Sequence, residues 1–314
     1  MQIFDAAATR APLGFERLIP ALHAAFAGDT TVPARHVHPV RAGSDTGTVL
    51  IMPAWSEAGF LGIKTVNIYP GNGARGLPGL HGTYMLYDAH TGVPLALMDG
   101  DEITSRRPAA AAALGASFLA RRDARRLLVL GCGRVARLLP EAMRQARPGI
   151  DELMVWNHRP EGARALAAQW RAQGLDARAV DDLEDAVRRA DIVSCATLST
   201  TPLVRGEWLA PGSHLDLIGS FTPQMREAHP SCFGHGARIG IDTPEALQKS
   251  GDLLDALAAG ELRADGVHAT LSQLCRGERA GRADDRERTV FKAVGSALED
   301  LAAATLVWQA ARAR

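Results

Sequence analysis

The chain has 314 residues, with 35 Lys and Arg against 35 Asp and Glu, so its formal net charge is zero. A neutral surface offers no basic field to hold nucleic acid or an anionic membrane, and neither partner is expected. At 46% hydrophobic and 22% charged residues, the composition is that of an ordinary globular protein long enough for two domains. The four cysteines, Cys132, Cys195, Cys232 and Cys275, form no CxxC pair, which fits free thiols in a reducing compartment. Residues 1–12 have no basic segment leading into an apolar one, and no apolar run is long enough to cross a bilayer. A cytoplasmic protein is expected.

In chain order, Phe15, Leu18, Ile19, Leu22 and Phe26 fall at helical spacing. Short extended runs follow at 48–52, 61–68, 82–87 and 95–98, with Thr91–Pro94 as a turn. This first part reads as an α+β substrate domain. Pro108 and the alanine run behind it predict a helix to about Arg122, with proline in its first turn. From Arg126 strands and helices alternate, with strands at 127–130, 153–156, 192–196, 214–218 and 237–241. That spacing predicts a doubly wound, mostly parallel sheet. The tail from Glu287 to Ala313 shows helical spacing at Phe291, Val294, Leu298, Leu301 and Leu306, and is expected to return to the first domain.

The stretch Leu127-Leu-Val-Leu-Gly-Cys-Gly-Arg-Val-Ala136 carries the sharpest signal. It is a buried strand, a glycine turn and a helix start in the G-x-G-x-x-A pattern of dinucleotide binding. Gly131 permits the tight turn, Gly133 lets backbone approach a pyrophosphate, and Ala136 lets helix and strand pack closely. Arg134 and Val135 lie within the same loop. The next strand ends in Asn157-His158-Arg159, with no carboxylate to hold a free ribose 2′-hydroxyl. Arg159 can instead pair with a 2′-phosphate, so NADP(H) is expected to be preferred, with NAD(H) possible.

Other residues admit two readings. Lys64 lies inside the apolar strand 61–68; periodicity alone points it to solvent, with its stem packed. Arg106 and Arg107, just before the predicted helix, oppose its dipole, which suggests a bound anion. Arg35 in a loop says nothing alone. The histidines at 36, 38, 81, 90, 158, 214, 229, 235 and 268 form no metal-ligand spacing, so no metal is expected.

Together these residues resemble the ornithine cyclodeaminase/mu-crystallin family. The matching stretches are Met52-Pro-Ala-Trp55, Gly62–Asn67, Leu97–Gly100, Ile103-Thr104 with Arg107, 131–136, Thr201-Pro202 through Trp208, Pro211–His214, Ile218-Gly219, Lys249–Asp252 and Val290–Gly295 with Glu299-Asp300. They run in collinear order from about Pro33 to about Leu306. The resemblance implies a homodimer with a Rossmann sheet, residues 116–287, inserted into an α+β substrate and dimerisation domain formed by residues 1–115 and 288–314. It implies an oxidoreductase acting on a CH–NH or C=N bond of an amino acid or cyclic imine. By match, Lys64 would serve proton transfer, Arg35 would hold a carboxylate, and Arg107 would bind substrate carboxylate or cofactor. Asn157, His158 and Arg159 fall where NADP is read, and Thr197, Leu198, Ser199, Ile218 and Gly219 would lie along the cofactor.

Two departures qualify the resemblance. Cyclodeaminases carry an aspartate where this chain has Phe221, and a phenyl ring accepts no proton. The family's threonine after Arg107 is Pro108 here, which would remove a hydroxyl and an N–H from an anion site. The expected activity is therefore reduction of a cyclic ketimine carboxylate, or a related amino-acid dehydrogenation. Ornithine cyclodeamination and ligand binding without turnover are the alternatives.

Overall fold

The structure is a computed structural model and describes residues 1–234 and 236–313, so His235 lies outside the described residues. The chain divides into two compact units: Met1–Arg107 with Ser296–Arg314, and Pro108–Gly295.

The first unit opens with β1 (Gln2–Phe4), α1 (Ala6–Arg10) and α2 (Phe15–Ala27). Phe15, Leu18, Leu22 and Phe26 form the buried stripe of α2, as their spacing requires. Then come β2 (Thr30–Thr31), β3 (His36–Ala42), β4 (Asp45–Ser56), β5 (Phe60–Ile68), β6 (Leu80–Asp88) and β7 (Pro94–Asp99). The sheet order is β1-β7-β6-β5-β4-β2, with β3 also on β4. Only the β1–β7 pairing is parallel. Alternate residues bury one face: Met52 and Ala54, Lys64 and Val66, Tyr84 and Leu86, Ala96 and Met98.

Helix α3 (Gly100–Leu119) starts eight residues earlier than Pro108 suggests, with Pro108 in its interior. The cause is an earlier start signal. Asp99 accepts the Glu102 N–H at 2.8 Å, and Asp101 and Glu102 place acids in the first turn, where they complement the dipole. Arg106 and Arg107 therefore do not stand at a helix N-terminus. Pro108 removes no donor from such an anion site either; its missing N–H concerns only the α3 backbone.

The second unit continues with β8 (Arg126–Leu130), α4 (Arg134–Ala146), β9 (Glu152–Trp156), α5 (Pro160–Ala172), β10 (Ala177–Ala179), α6 (Leu183–Arg189), β11 (Ile192–Cys195), β12 (His214–Leu217), β13 (Arg238–Ile241), α7 (Ala246–Lys249), α8 (Gly251–Ala258), β14 (Ala269–Thr270), α9 (Leu271–Cys275) and β15 (Thr289–Lys292). Its sheet is parallel throughout, in the order β10-β9-β8-β11-β12-β15-β13-β14. This is the doubly wound Rossmann arrangement, its order reversing beside β8. Arg147 and Arg282 bind the free carbonyls at the end of α3. Arg147 donates to Ser117 and Ala120, and Arg282 to Leu119.

The tail departs from its helical pattern. Thr289–Lys292 is a fully buried strand inserted between β12 and β13, and α10 (Ala297–Arg312) begins only after Gly295, whose φ is +79°. Thr, Val and Phe suit a strand, and a residue in the left-handed region interrupts the apparent helix. Ser296 caps α10 by accepting the Leu298 N–H at 3.2 Å. Within the first unit α10 packs on β4, β5, β6 and α2. No helix among the described residues is long and apolar enough to cross a membrane.

Candidate active site

Lys64 is not on an exposed face. It is 1% exposed, on the side of β5 that α10 covers. Its Nζ lies 2.6 Å from Asp300 Oδ2 on α10. The other Asp300 oxygen accepts from Arg107 Nε at 3.0 Å, and Arg107 Nη1 donates to Glu299 Oε2 at 2.8 Å. Two cations and two carboxylates thus form a neutral, buried group. One planar guanidinium serves both acids, a task its fork geometry suits.

The electrostatics follow from this arrangement. Burial pulls the Lys64 ammonium down to about 8; Asp300 opposes the shift and Arg107 adds to it. Burial raises Asp300, but Arg107 and Lys64 outweigh it and hold the carboxyl below its ordinary value. Tyr84, directly across from Lys64 on β6, is buried, and its hydroxyl has no hydrogen-bond partner among the described residues. Burial, then Asp300, pushes its ionisation well above the ordinary phenol value. Gly62 is required beside it, because a Cβ there would lie 2.0 Å from the Tyr84 hydroxyl. The face therefore presents an ammonium that exchanges its proton near neutral pH and a phenol that stays protonated.

Arg35 is half-buried and immediately precedes His36, which pairs with Ile51; the next residue, Met52, pairs with Lys64. Continuing the register sets Arg35 two strand spacings from Lys64, about 10 Å. Arg106 donates to the Leu13 carbonyl at 3.2 Å and lies over the Phe15 ring at 5.2 Å, so its charge has a structural partner. His36 and His38 are exposed, their rings stacked at 6.2 Å, and His81 is exposed too. No group of residues fit to hold a metal occurs among the described residues.

In the second unit the glycine loop has the geometry its sequence implies. Gly131 has φ +103°, and a Cβ there would lie 2.6 Å from the Ala196 carbonyl oxygen. Gly133 is the N-cap of α4 and makes no side-chain cap, and a Cβ on it would meet nothing within 4 Å. Arg134, the first residue of this 13-residue helix, is exposed, and the first turn holds no acid. Val135 is half-buried and Ala136 fully buried against the sheet. These features fit a dinucleotide pyrophosphate. Asn157 donates to the Arg159 carbonyl at 3.0 Å, and His158 and Arg159 are exposed beyond β9.

Two further loops follow β11 and β12. Thr197, Leu198 and Ser199 follow β11, with Leu198 73% exposed; Ile218 and Gly219 follow β12 and are buried. Glu227 binds both loops. Its Oε1 accepts from the Thr197 N–H at 2.7 Å and the Thr197 hydroxyl at 2.8 Å, and its Oε2 accepts from the Gly219 N–H at 2.7 Å. Phe221, on the loop after Gly219, is 41% exposed. Asp216, the carboxylate of β12, is buried and bonded to Ser194; burial pushes it up to about 7.

Asp300, Glu299, Tyr84 and Glu227 were assigned no role from sequence. Glu299-Asp300 stood only as a matching stretch, and nothing local to Glu227 marks it.

One unit holds a doubly wound parallel sheet with a glycine loop of the dinucleotide-binding kind, and the other a mostly antiparallel sheet with a buried lysine, the two parts expected of a nicotinamide-dependent oxidoreductase. The chain belongs to the ornithine cyclodeaminase/mu-crystallin family, whose model matches residues 8–314. It is 38% identical over 277 residues to a Delta(1)-pyrroline-2-carboxylate reductase of Paracoccus denitrificans, covering 88% of each chain. It superposes on the Thermococcus litoralis Delta(1)-pyrroline-2-carboxylate reductase in complex with NADH and L-proline with a TM-score of 0.92, at 29% identity, over 100% of this chain and 98% of that one. An archaeal alanine dehydrogenase dimer with bound NAD gives a TM-score of 0.91 at 29% identity, over 100% and 96%.

Proposed function

We propose that this chain is an NAD(P)H-dependent reductase of a cyclic ketimine carboxylate of the pyrroline- or piperideine-2-carboxylate type. The observation that carries the reading is Lys64, a buried ammonium held by Asp300 with its proton affinity brought to about 8. The named activity of the Paracoccus and Thermococcus relatives points the same way. The cofactor supplies a hydride for the imine carbon. Lys64 delivers or stabilises the proton on the ring nitrogen, directly or through water. Arg35 pairs with the substrate carboxylate. Arg107 fixes Asp300 and so aims Lys64. The glycine loop, with Arg134, Val135 and Ala136, holds the pyrophosphate, and Thr197, Leu198, Ser199, Ile218 and Gly219 line the remainder of the cofactor. The first unit is the substrate and dimerisation unit, and the second binds the dinucleotide. A homodimer is supported by the dimeric alanine dehydrogenase, and a cytoplasmic location by four free cysteines.

The test is oxidation of reduced cofactor with pyrroline-2-carboxylate and piperideine-2-carboxylate, run beside ammonia release from L-ornithine. Imine-dependent oxidation without ammonia is expected. The reverse pattern would establish cyclodeamination and show that another group replaces the aspartate that cyclodeaminases carry where Phe221 stands.

Arg159 further supports NADP(H) over NAD(H), since the end of β9 offers a cation and no acid. In Arg159→Ala, kcat/KM for NADPH is expected to fall about 10- to 100-fold, the worth of a charged hydrogen-bonded pair, with NADH nearly unaffected. Equal loss for both cofactors would remove the preference.

A further inference from the structure

We infer that Glu227 is the positioning residue for the nicotinamide half of the cofactor. The inference rests on the dinucleotide reading above.

The sheet order assigns the halves. Strands β8, β9 and β10 form one mononucleotide half, with the glycine loop and the Asn157–Arg159 segment that reads the adenosine ribose. Strands β11, β12 and β15 form the other. The loops after β11 and β12 therefore belong to the nicotinamide half. Glu227 is fully buried and ties these two loops together through two backbone N–H groups and one hydroxyl, all donating to its carboxylate. Burial pushes the Glu227 carboxyl up, while Lys292 and the Thr197 donors favour its charged form, in which these bonds are about twice as strong as neutral ones. The loops are in close contact: a Cβ on Gly219 would lie 2.0 Å from the Thr197 carbonyl oxygen and 2.4 Å from Glu227 Oε1. A side chain at 219 would separate them.

Glu227 is itself held from behind. Asp252, at the start of α8, accepts the N–H groups of Glu227 at 2.7 Å and Ala228 at 3.0 Å. Lys292 Nζ on β15 lies 3.4 Å from Asp252 Oδ2, and both side chains are fully buried. A cation that faces both acids thus comes from the strand next to β12, where Lys292 pairs with Asp252 and also favours the charged form of Glu227. The brace joins the two loops through buried hydrogen bonds, an arrangement suited to holding the surface offered to the ring before cofactor arrives. Preorganisation of this kind lets a bound ring meet its acceptor without reordering the loops.

The test uses the full chain and two probes. ADP-ribose and its 2′-phosphate carry the whole dinucleotide except the nicotinamide ring, while NADH and NADPH carry the ring as well. Calorimetry gives the affinity for each, and fluorescence of the bound reduced cofactor reports the ring's surroundings. Glu227→Gln keeps the size but replaces one accepting oxygen with a donor. It is expected to bind the ring-less probe within about twofold of wild type and reduced cofactor about tenfold more weakly, the worth of one charged hydrogen bond. Its fluorescence shift on binding should be lost, and kcat should fall with KM for the imine little changed. Glu227→Asp, which reaches one loop but not both, should show the same pattern and decides the matter if the glutamine variant does not fold. Equal weakening of both probes, or wild-type behaviour in both variants, would overturn the inference. Failure of the wild-type chain to bind either probe would instead remove the dinucleotide reading beneath it.

Discussion

Lys64→Ala is expected to lose about 10²- to 10⁴-fold in kcat for imine reduction, the range for removing a positioned general acid, while affinity for reduced cofactor is retained. The pH dependence carries a sign. Reduction needs the ammonium, so its rate should fall as pH rises through about 8; the oxidative direction needs the free amine and should rise over the same range. Asp300 raises the proton affinity of Lys64, so Asp300→Asn should move both limbs to lower pH. An unmoved limb would mean that another group sets it. The same shift bears on stability. The folded-state value lies below the ordinary 10.5, so the unfolded chain binds this proton more tightly. The cost of burying the ammonium is fully present below about pH 8 and is relieved between about 8 and 10.5. This group alone therefore makes stability rise with pH across that window.

Arg107→Ala is expected to destabilise the first unit by about 3–5 kcal/mol, because Glu299 and Asp300 are both fully buried and each would lose its ion pair with the guanidinium. Arg107→Lys should recover part of this loss, since a single ammonium cannot serve two carboxylates through two separate edges. The urea midpoint of each variant reads the effect. A loss under about 1 kcal/mol for the alanine variant would place Arg107 among surface-like ion pairs and contradict its burial.

Local chemistry made much of this molecule legible. The glycine loop needs its special residues within a few positions, and Gly131 adopts the positive φ they implied. The alternating strands from Arg126 onward declared the parallel sheet for the same reason. What escaped was set by partners distant in sequence. Lys64 looked like a solvent-facing strand lysine because its counter-charge, Asp300, lies on the far side of the whole second unit in the chain. Pro108 imitated a helix start because the true cap, Asp99, ends a strand and belongs to two elements at once. Thr289–Lys292 was masked by a helix whose apolar spacing happens to continue backward through it. Glu227 has no local signature, because its role is defined by two loops that meet only in the folded sheet.

The position of β15 and α10 has a consequence for biosynthesis. The first unit buries Lys64 and its sheet face only when α10 lies on them, and the second sheet lacks an internal strand until β15 is inserted between β12 and β13. Neither core is closed while residues beyond 288 remain in the ribosome. A nascent chain of this protein therefore carries incomplete apolar surfaces in both units until this one segment has left the ribosome, and β15 is available to its sheet before α10 is available to the other.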